Sequence, residues 1–297
     1  MQKELFYFLM FVFLVSCEDV IEVDLPEVET RLVVDGLLRV DTDEEYIDVR
    51  LTMRETSNFF EENQPAQVEN AVIYYGTLNE NNIFESVTTS QLTEEAPGTG
   101  VYVPDANFGT DQRIPTNAAE PGVTFILQFS HEGKRYYAQT QYAPTVPIDN
   151  LEQGDSNLFG DDETEVIVTF TDAPNEDNYF VFDFMNNEYQ VVEDTFFKGQ
   201  QFEFSYFYDD QLEAGQEITV SIMGATKEYY DFLGLVLQQT NNNGGVFQTP
   251  VATVKGNVFD ITELGNEEVL PKDAETNGYA LGYFGVVQEY TSSLLIE

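Results

Sequence analysis

The chain has 297 residues, 54 acidic and 12 basic, giving a formal net charge of −42 and a pI near 4.1. A field of that sign repels phosphate backbones and excludes nucleic acid as a partner. A 42% apolar and 14% aromatic composition can build a packed core, which excludes a disordered chain, and the length fits one large or two ordinary domains.

The first eleven-residue apolar run, Leu5 to Val15, is too short for a membrane-spanning helix, which needs ~20 residues. With Lys3 ahead of it, the run has the form of a signal-peptide core, so residues 1–16 are expected to be a leader. It ends in Leu14-Val15-Ser16-Cys17, which resembles the bacterial lipobox. In that reading Cys17 is lipidated on sulfur and opens the mature chain; the plainer alternative is a secreted protein with a cysteine near its cleavage site by chance. Acyl chains on one residue anchor firmly, at ~0.8 kcal/mol per buried CH₂. Cys17 is the sole cysteine, so acylation leaves no thiol for a disulfide, a nucleophile or a metal. Residues 17–29 are acidic and are expected to be a tether.

From Arg31 onward short apolar or alternating segments recur between turn residues. Leu32 to Val34 is expected to stop at Asp35-Gly36. Tyr46 to Leu51 alternates with period two, the mark of a half-buried strand. Residues 55–67 form a polar loop. Further strands are expected at Val68 to Tyr75, Ile83 to Thr89, Val101 to Val103, Val123 to Ser130 and Lys134 to Tyr142, with turns at Asn79 to Asn82, Pro97 to Gly100 and Glu132-Gly133. Seven or so short strands at this spacing predict an antiparallel β-sandwich over 30–146.

Pro144 and Pro147 mark a rigid connector, so a second, β-rich domain is expected over 147–297. Its strands are expected at Thr164 to Thr171, at Asn178 to Met185 (Phe180, Phe182 and Phe184 on one face), around Phe202 to Tyr206, and at Glu217 to Met223. One helix is predicted near 227–241. Thr226 is its N-cap, Glu228 and Asp231 lie near the first turn, and Tyr229, Phe232, Leu233, Val236 and Leu237 form one stripe. It is expected to lie across a face of the second sheet. Val251 to Phe259 and Tyr279 to Val287 are expected to close the domain, and residues 289–297 to fray.

Cys17-Glu18-Asp19, Arg31-Leu32-Val33-Val34-Asp35-Gly36, Ala143-Pro144, Phe170-Thr171-Asp172-Ala173-Pro174, Tyr229-Tyr230-Asp231, Gly256-Asn257 and Leu281-Gly282-Tyr283-Phe284 occur in order along almost the whole mature chain. Together they resemble the Bacteroidota lipoproteins grouped as domain of unknown function 4249. The resemblance implies a transthyretin- or carboxypeptidase-regulatory-like β-sandwich first and a β-rich domain with one α-helix second. It also implies a surface or periplasmic lipoprotein of the outer membrane, accessory to a TonB-dependent β-barrel receptor, and the exterior face is the expected one. Glu18 and Asp19 resemble the surface-export signal of that phylum; Val20 and Ile21 interrupt it, which keeps the inner leaflet open. The family has no assigned activity, so no functional residue beyond Cys17 carries over.

Chemistry is sparse. The single histidine, His131, precedes a predicted hairpin turn, where a solvated side chain is expected, and no nucleophile is evident beside it. Zinc held by histidine and cysteine together is excluded by count. Carboxylate pairs occur by chance among 54 acids, so a carboxylate-based hydrolase rests on no motif and the chain is read as non-enzymatic, without a cofactor. Calcium is the cation that Asp155, Asn157, Asp161, Asp162 and Glu163 would suit, against a plain solvated loop; the spacing is not that of an EF-hand. Asp41, Asp43, Glu44 and Glu45 form a weaker cluster. Phe59 and Phe60, in a polar loop, are either a partner contact or fold back onto the sandwich. Two functions stay open: an accessory subunit of an outer-membrane barrel, or a free-standing binding module or adhesin for a glycan, peptide or divalent metal.

Overall fold

The computed structural model describes residues 30–57, 62–156, 163–174, 176–208, 212–241, 254–264 and 278–297. The first strands are β1 (Leu32–Val40), β2 (Leu51–Glu55), β3 (Gln64–Pro65), β4 (Glu69–Leu78), β5 (Phe84–Glu94), β6 (Val101–Pro104), β7 (Val123–His131) and β8 (Lys134–Ala143). Then come β9 (Ile148–Gln153), β10 (Thr164–Thr171), β11 (Tyr179–Asp183), β12 (Tyr189–Glu193), β13 (Gln201–Tyr208), β14 (Glu217–Ala225) and the helix α1 (Lys227–Asn241). The last elements are β15 (Val258–Asp260), β16 (Gly278–Tyr279) and β17 (Leu281–Leu295). The fold is mainly β with one α-helix among the described residues.

The expected N-terminal sandwich is instead a closed eight-stranded barrel, in the order β17-β1-β2-β6-β5-β4-β7-β8 and back to β17. Alternation fixes which face of a strand is buried; it does not say whether the sheet closes on itself. Here the closing strand comes from the far end of the sequence. β17 lies parallel to β1 from Val33↔Leu281 to Val40↔Gln288 and parallel to β8 at Val286↔Tyr142 and Val287↔Ala143. Such pairings are invisible to a reading based on adjacent hairpins. The interior is filled by side chains, among them Leu38, Met53, Ile73, Phe125 and Leu127, all at 0% exposure, as eight strands allow. β1 runs straight through Asp35-Gly36, where a stop was expected, because Gly36 is where the wall needs a small residue. A Cβ there would meet Leu51 Cδ2 at 3.2 Å and Phe284 Cδ2 at 3.3 Å.

The second unit is a true two-sheet sandwich. One sheet is β12-β11-β14 with the C-terminal half of β17; the other is β13-β10-β9. Phe170, Phe180, Phe182, Phe184, Val220 and Ile222 fill the space between, with Phe170 edge-on to Phe180 at 5.1 Å and to Phe197 at 5.6 Å. The opposite face of the first sheet carries Val181 and Met223, which pack under Tyr229 and Leu233 of α1. The helix begins where the Thr226 hydroxyl accepts the Tyr229 N–H at 3.2 Å, and it crosses the sheet as its apolar stripe requires.

β17 belongs to both units. Its even positions, Phe284 and Val286, point into the barrel, and farther along Tyr290 and Leu294 point into the sandwich. Its odd positions, Tyr283 and Val287, support α1. Residues 289–295, expected to fray, pair with β14 from Glu217↔Leu295 to Met223↔Glu289. The chain leaves the barrel near Pro144, where a boundary was expected, yet β15 pairs with β8 and the first half of β17 with β1, so residues beyond 147 return to the barrel.

Candidate functional site

The barrel rim carries an acidic cleft lined by Glu55, Glu69, Glu94, Tyr102, His131 and Glu132. Three of these converge: Glu55, His131 and Glu132 each offer one ligand atom, and those atoms lie within 4.8 Å of one another, the one such group among the described residues. Glu55 ends β2, His131 ends β7, and Glu132 is the first residue of the β7–β8 turn.

The expected solvated His131 is 8% exposed. The reason is strand phase: Phe125, Leu127 and Phe129 face the core, and His131 is next on that face. That alternation was legible in the sequence and would have placed the ring inward. Its Nδ1 lies 2.8 Å from the Gln67 carbonyl oxygen and its Nε2 3.1 Å from Glu55 Oε1. A carbonyl only accepts, so Nδ1 carries a hydrogen and donates it. Nε2 then faces the Glu55 carboxylate, and either a proton or a metal ion between them satisfies both atoms.

The turn adds a second feature. Glu132 and Gly133 have φ of 50° and 76°, both left-handed, as a two-residue type I′ hairpin demands. Glycine takes that conformation freely; a glutamate gives up ~1–2 kcal/mol to hold it. Nearby, the Gly100 N–H hydrogen bond holds the Glu94 carboxyl below the usual range, so Glu94 stays charged in the same cleft.

Elsewhere the charged groups fasten the fold. Arg39 of β1 reaches Asp183 of β11 at 2.8 Å and Glu289 of β17 at 3.1 Å. Burial works against its charge, but the Asp183 hydrogen bond and the two carboxylates outweigh it and raise its pKa. Asp172, 2% exposed, accepts the Gly199 N–H at 2.6 Å through Oδ2, while Oδ1 has no partner. Asn257 donates to Gln139 O at 3.1 Å and Phe284 O at 2.7 Å and accepts from Phe284 N at 2.8 Å, bridging β8 and β17. The Gly256-Asn257 and Leu281 to Phe284 segments are therefore one structural joint. A Cβ on Gly256 would collide with the Gly282 carbonyl.

Of the sequence-predicted site residues, Cys17, Glu18, Asp19, Phe59, Phe60, Asn157, Asp161 and Asp162 lie outside the described residues. The two described members of the expected calcium loop are Asp155, exposed, and Glu163, half-buried. That loop is tied at its start by Glu165, which accepts the Ser156 N–H at 2.7 Å and the Ser205 hydroxyl at 2.5 Å. Those two bonds hold its carboxyl below the ordinary range. Asp41, Asp43, Glu44 and Glu45 are all exposed, and Asp41 Oδ1 accepts the Asp43 N–H, an Asx turn. Sequence reasoning missed Glu55 and Glu132 as partners of His131.

No curated protein matches the chain. Among solved structures, a transglutaminase from red sea bream is similar with 9% identity and a TM-score of 0.22. That likeness covers 68% of this chain and 30% of the transglutaminase, so this chain spans under a third of that protein's length, and it carries no argument about fold or activity. The family model described as Domain of unknown function (DUF4249) matches residues 18–293, from just after Cys17 almost to the end of β17, and the chain belongs to that family.

Proposed function

We propose that the protein is a lipid-anchored, non-enzymatic accessory subunit at the outer membrane of a Bacteroidota cell, held by Cys17, facing the exterior, and associated with a TonB-dependent β-barrel transporter or a similar complex. The observation that carries the reading is Leu14-Val15-Ser16-Cys17 directly after an eleven-residue apolar run. Two further features support it. Fourteen residues lie between Cys17 and the start of β1, a reach of at most ~50 Å at ~3.3–3.6 Å per residue. The body is built as a scaffold: two β units share one strand and its helix, which favours presenting loops and edges to a neighbour. An anchor confines both partners to one surface, so weak contacts suffice.

The test is gentle detergent extraction after cross-linking, followed by affinity purification and mass spectrometry. A large barrel protein should co-purify, and Cys17→Ser should release the chain from the membrane fraction and abolish the co-purification. Recovery of the lipoprotein alone, together with ligand capture by a soluble form lacking residues 1–17, would favour a free-standing surface binder instead.

A further inference from the structure

We propose that Glu55, His131 and Glu132 form a binding site for a zinc-type divalent cation at the barrel rim, with its fourth position open to the acidic cleft. The inference stands on its own and does not depend on membrane attachment.

The histidine is set as a metal ligand is set. Its Nδ1–H is committed to the Gln67 carbonyl, which fixes ring orientation and leaves Nε2 as the atom that faces Glu55; this backbone-oriented imidazole is the usual outer-sphere support of a ligating histidine. Nε2 and Glu55 Oε1 stand 3.1 Å apart. A tetrahedral zinc with bonds of ~2.0–2.2 Å to nitrogen and oxygen holds two ligand atoms ~3.3 Å apart, so these two atoms already span one edge of the tetrahedron. The third ligand atom lies within 4.8 Å of the others on an exposed turn residue. A rotation of the Glu132 side chain closes the remaining gap of at most ~1.5 Å.

Cation choice follows from the donors. Imidazole nitrogen with two carboxylates suits zinc and its transition-metal neighbours; calcium and magnesium take oxygen sets. Three protein ligands leave one position for water or for a donor group on an incoming molecule. The surroundings favour loading: Glu69 and Glu94 line the same cleft, and a chain of net charge −42 concentrates divalent cations near its surface. Bound metal would also staple β2 to the β7–β8 hairpin across the barrel mouth.

The chain holds a single histidine, so ¹⁵N-histidine labelling gives one pair of ring signals. The experiment adds Zn²⁺ alone to the detergent-extracted full chain, with millimolar magnesium present to occupy the diffuse acidic surface. A Cys17→Ser sample in parallel removes the thiol as a ligand. One equivalent should move the Nε2 signal, leave Nδ1 protonated and raise the thermal midpoint. Glu132→Gln, an exposed change that leaves the buried ring in place, should weaken binding roughly tenfold or more, and His131→Gln should abolish it. An Nε2 signal that zinc does not move would overturn the proposal and leave only a proton-bridged His131–Glu55 pair. Equal zinc affinity in wild type, Glu132→Gln and His131→Gln would overturn it too, by assigning the binding to surface carboxylates at large.

Discussion

Single polar residues at the joints carry more stability than their exposure suggests. Asn257 satisfies three backbone groups at the split between β8 and β17. Asn257→Ala should cost about 3 kcal/mol, near 1 kcal/mol per bond left unmade, read as a lower urea midpoint. Asn257→Asp should be worse, because it aims a charge at the Gln139 and Phe284 carbonyls. Asp172 makes a pH prediction. Burial pushes its carboxyl up, the Gly199 N–H pulls it down, and Asp194 pushes it up again, for a net rise. A carboxyl whose folded pKa lies above its unfolded one binds the proton more tightly in the folded state, so stability falls as pH rises through that window. Asp172→Asn removes the cost. It should raise the urea midpoint at neutral pH, by on the order of 1 kcal/mol, and the gain should vanish below the ordinary aspartate range, where wild type is also neutral.

The elements show which local preferences won and which were overruled. Helix α1 follows its own sequence, with a Thr226 cap and an apolar stripe, except at Gly234. A Cβ there would meet only Val191 Cγ2 at 3.7 Å, an ordinary contact. Gly234→Ala should therefore stabilise the protein by ~0.5–1 kcal/mol through helix propensity and a stiffer unfolded chain; a loss in thermal midpoint would mean the helix cannot tolerate the added methyl. β1 and β11 are tied by Arg39, and Arg39→Met would leave Asp183 and Glu289, each about 15% exposed at the side chain, without their cation. With Arg39 itself one-third exposed and screened, the expected loss is about 2 kcal/mol. High salt should shrink it only modestly, because the carboxylates are largely buried.

At the scale of the molecule, the shared strand couples the two units. Without β17 the barrel is a seven-stranded sheet, open between β1 and β8 and exposing two long edges. Residues 30–146 expressed alone should then aggregate or unfold without a cooperative transition. A soluble monomer of that segment with a sharp urea transition would show that the barrel closes by other means. Pairing residue 33 with 281 also demands a very long loop closure, so folding of the intact chain should be slow relative to a hairpin-built β-protein of similar size.

Nearest-neighbour physics was readable in the sequence. The strands at Val123 to Ser130 and Lys134 to Tyr142, the Phe180-Phe182-Phe184 face and the Thr226-capped helix follow from period, turn residues and capping, which act over a few positions. The net charge of −42 is a sum over composition and needs no structure. Barrel closure was not readable, because a parallel pair between β1 and β17 leaves no local mark. Neither was the constellation at the rim. Glu55 and His131 are 76 positions apart, and in a chain with 54 acids no glutamate announces itself. The phase of Phe125, Leu127 and Phe129 already turned His131 inward; only the folded barrel supplied Gln67 to orient it and Glu55 to face it.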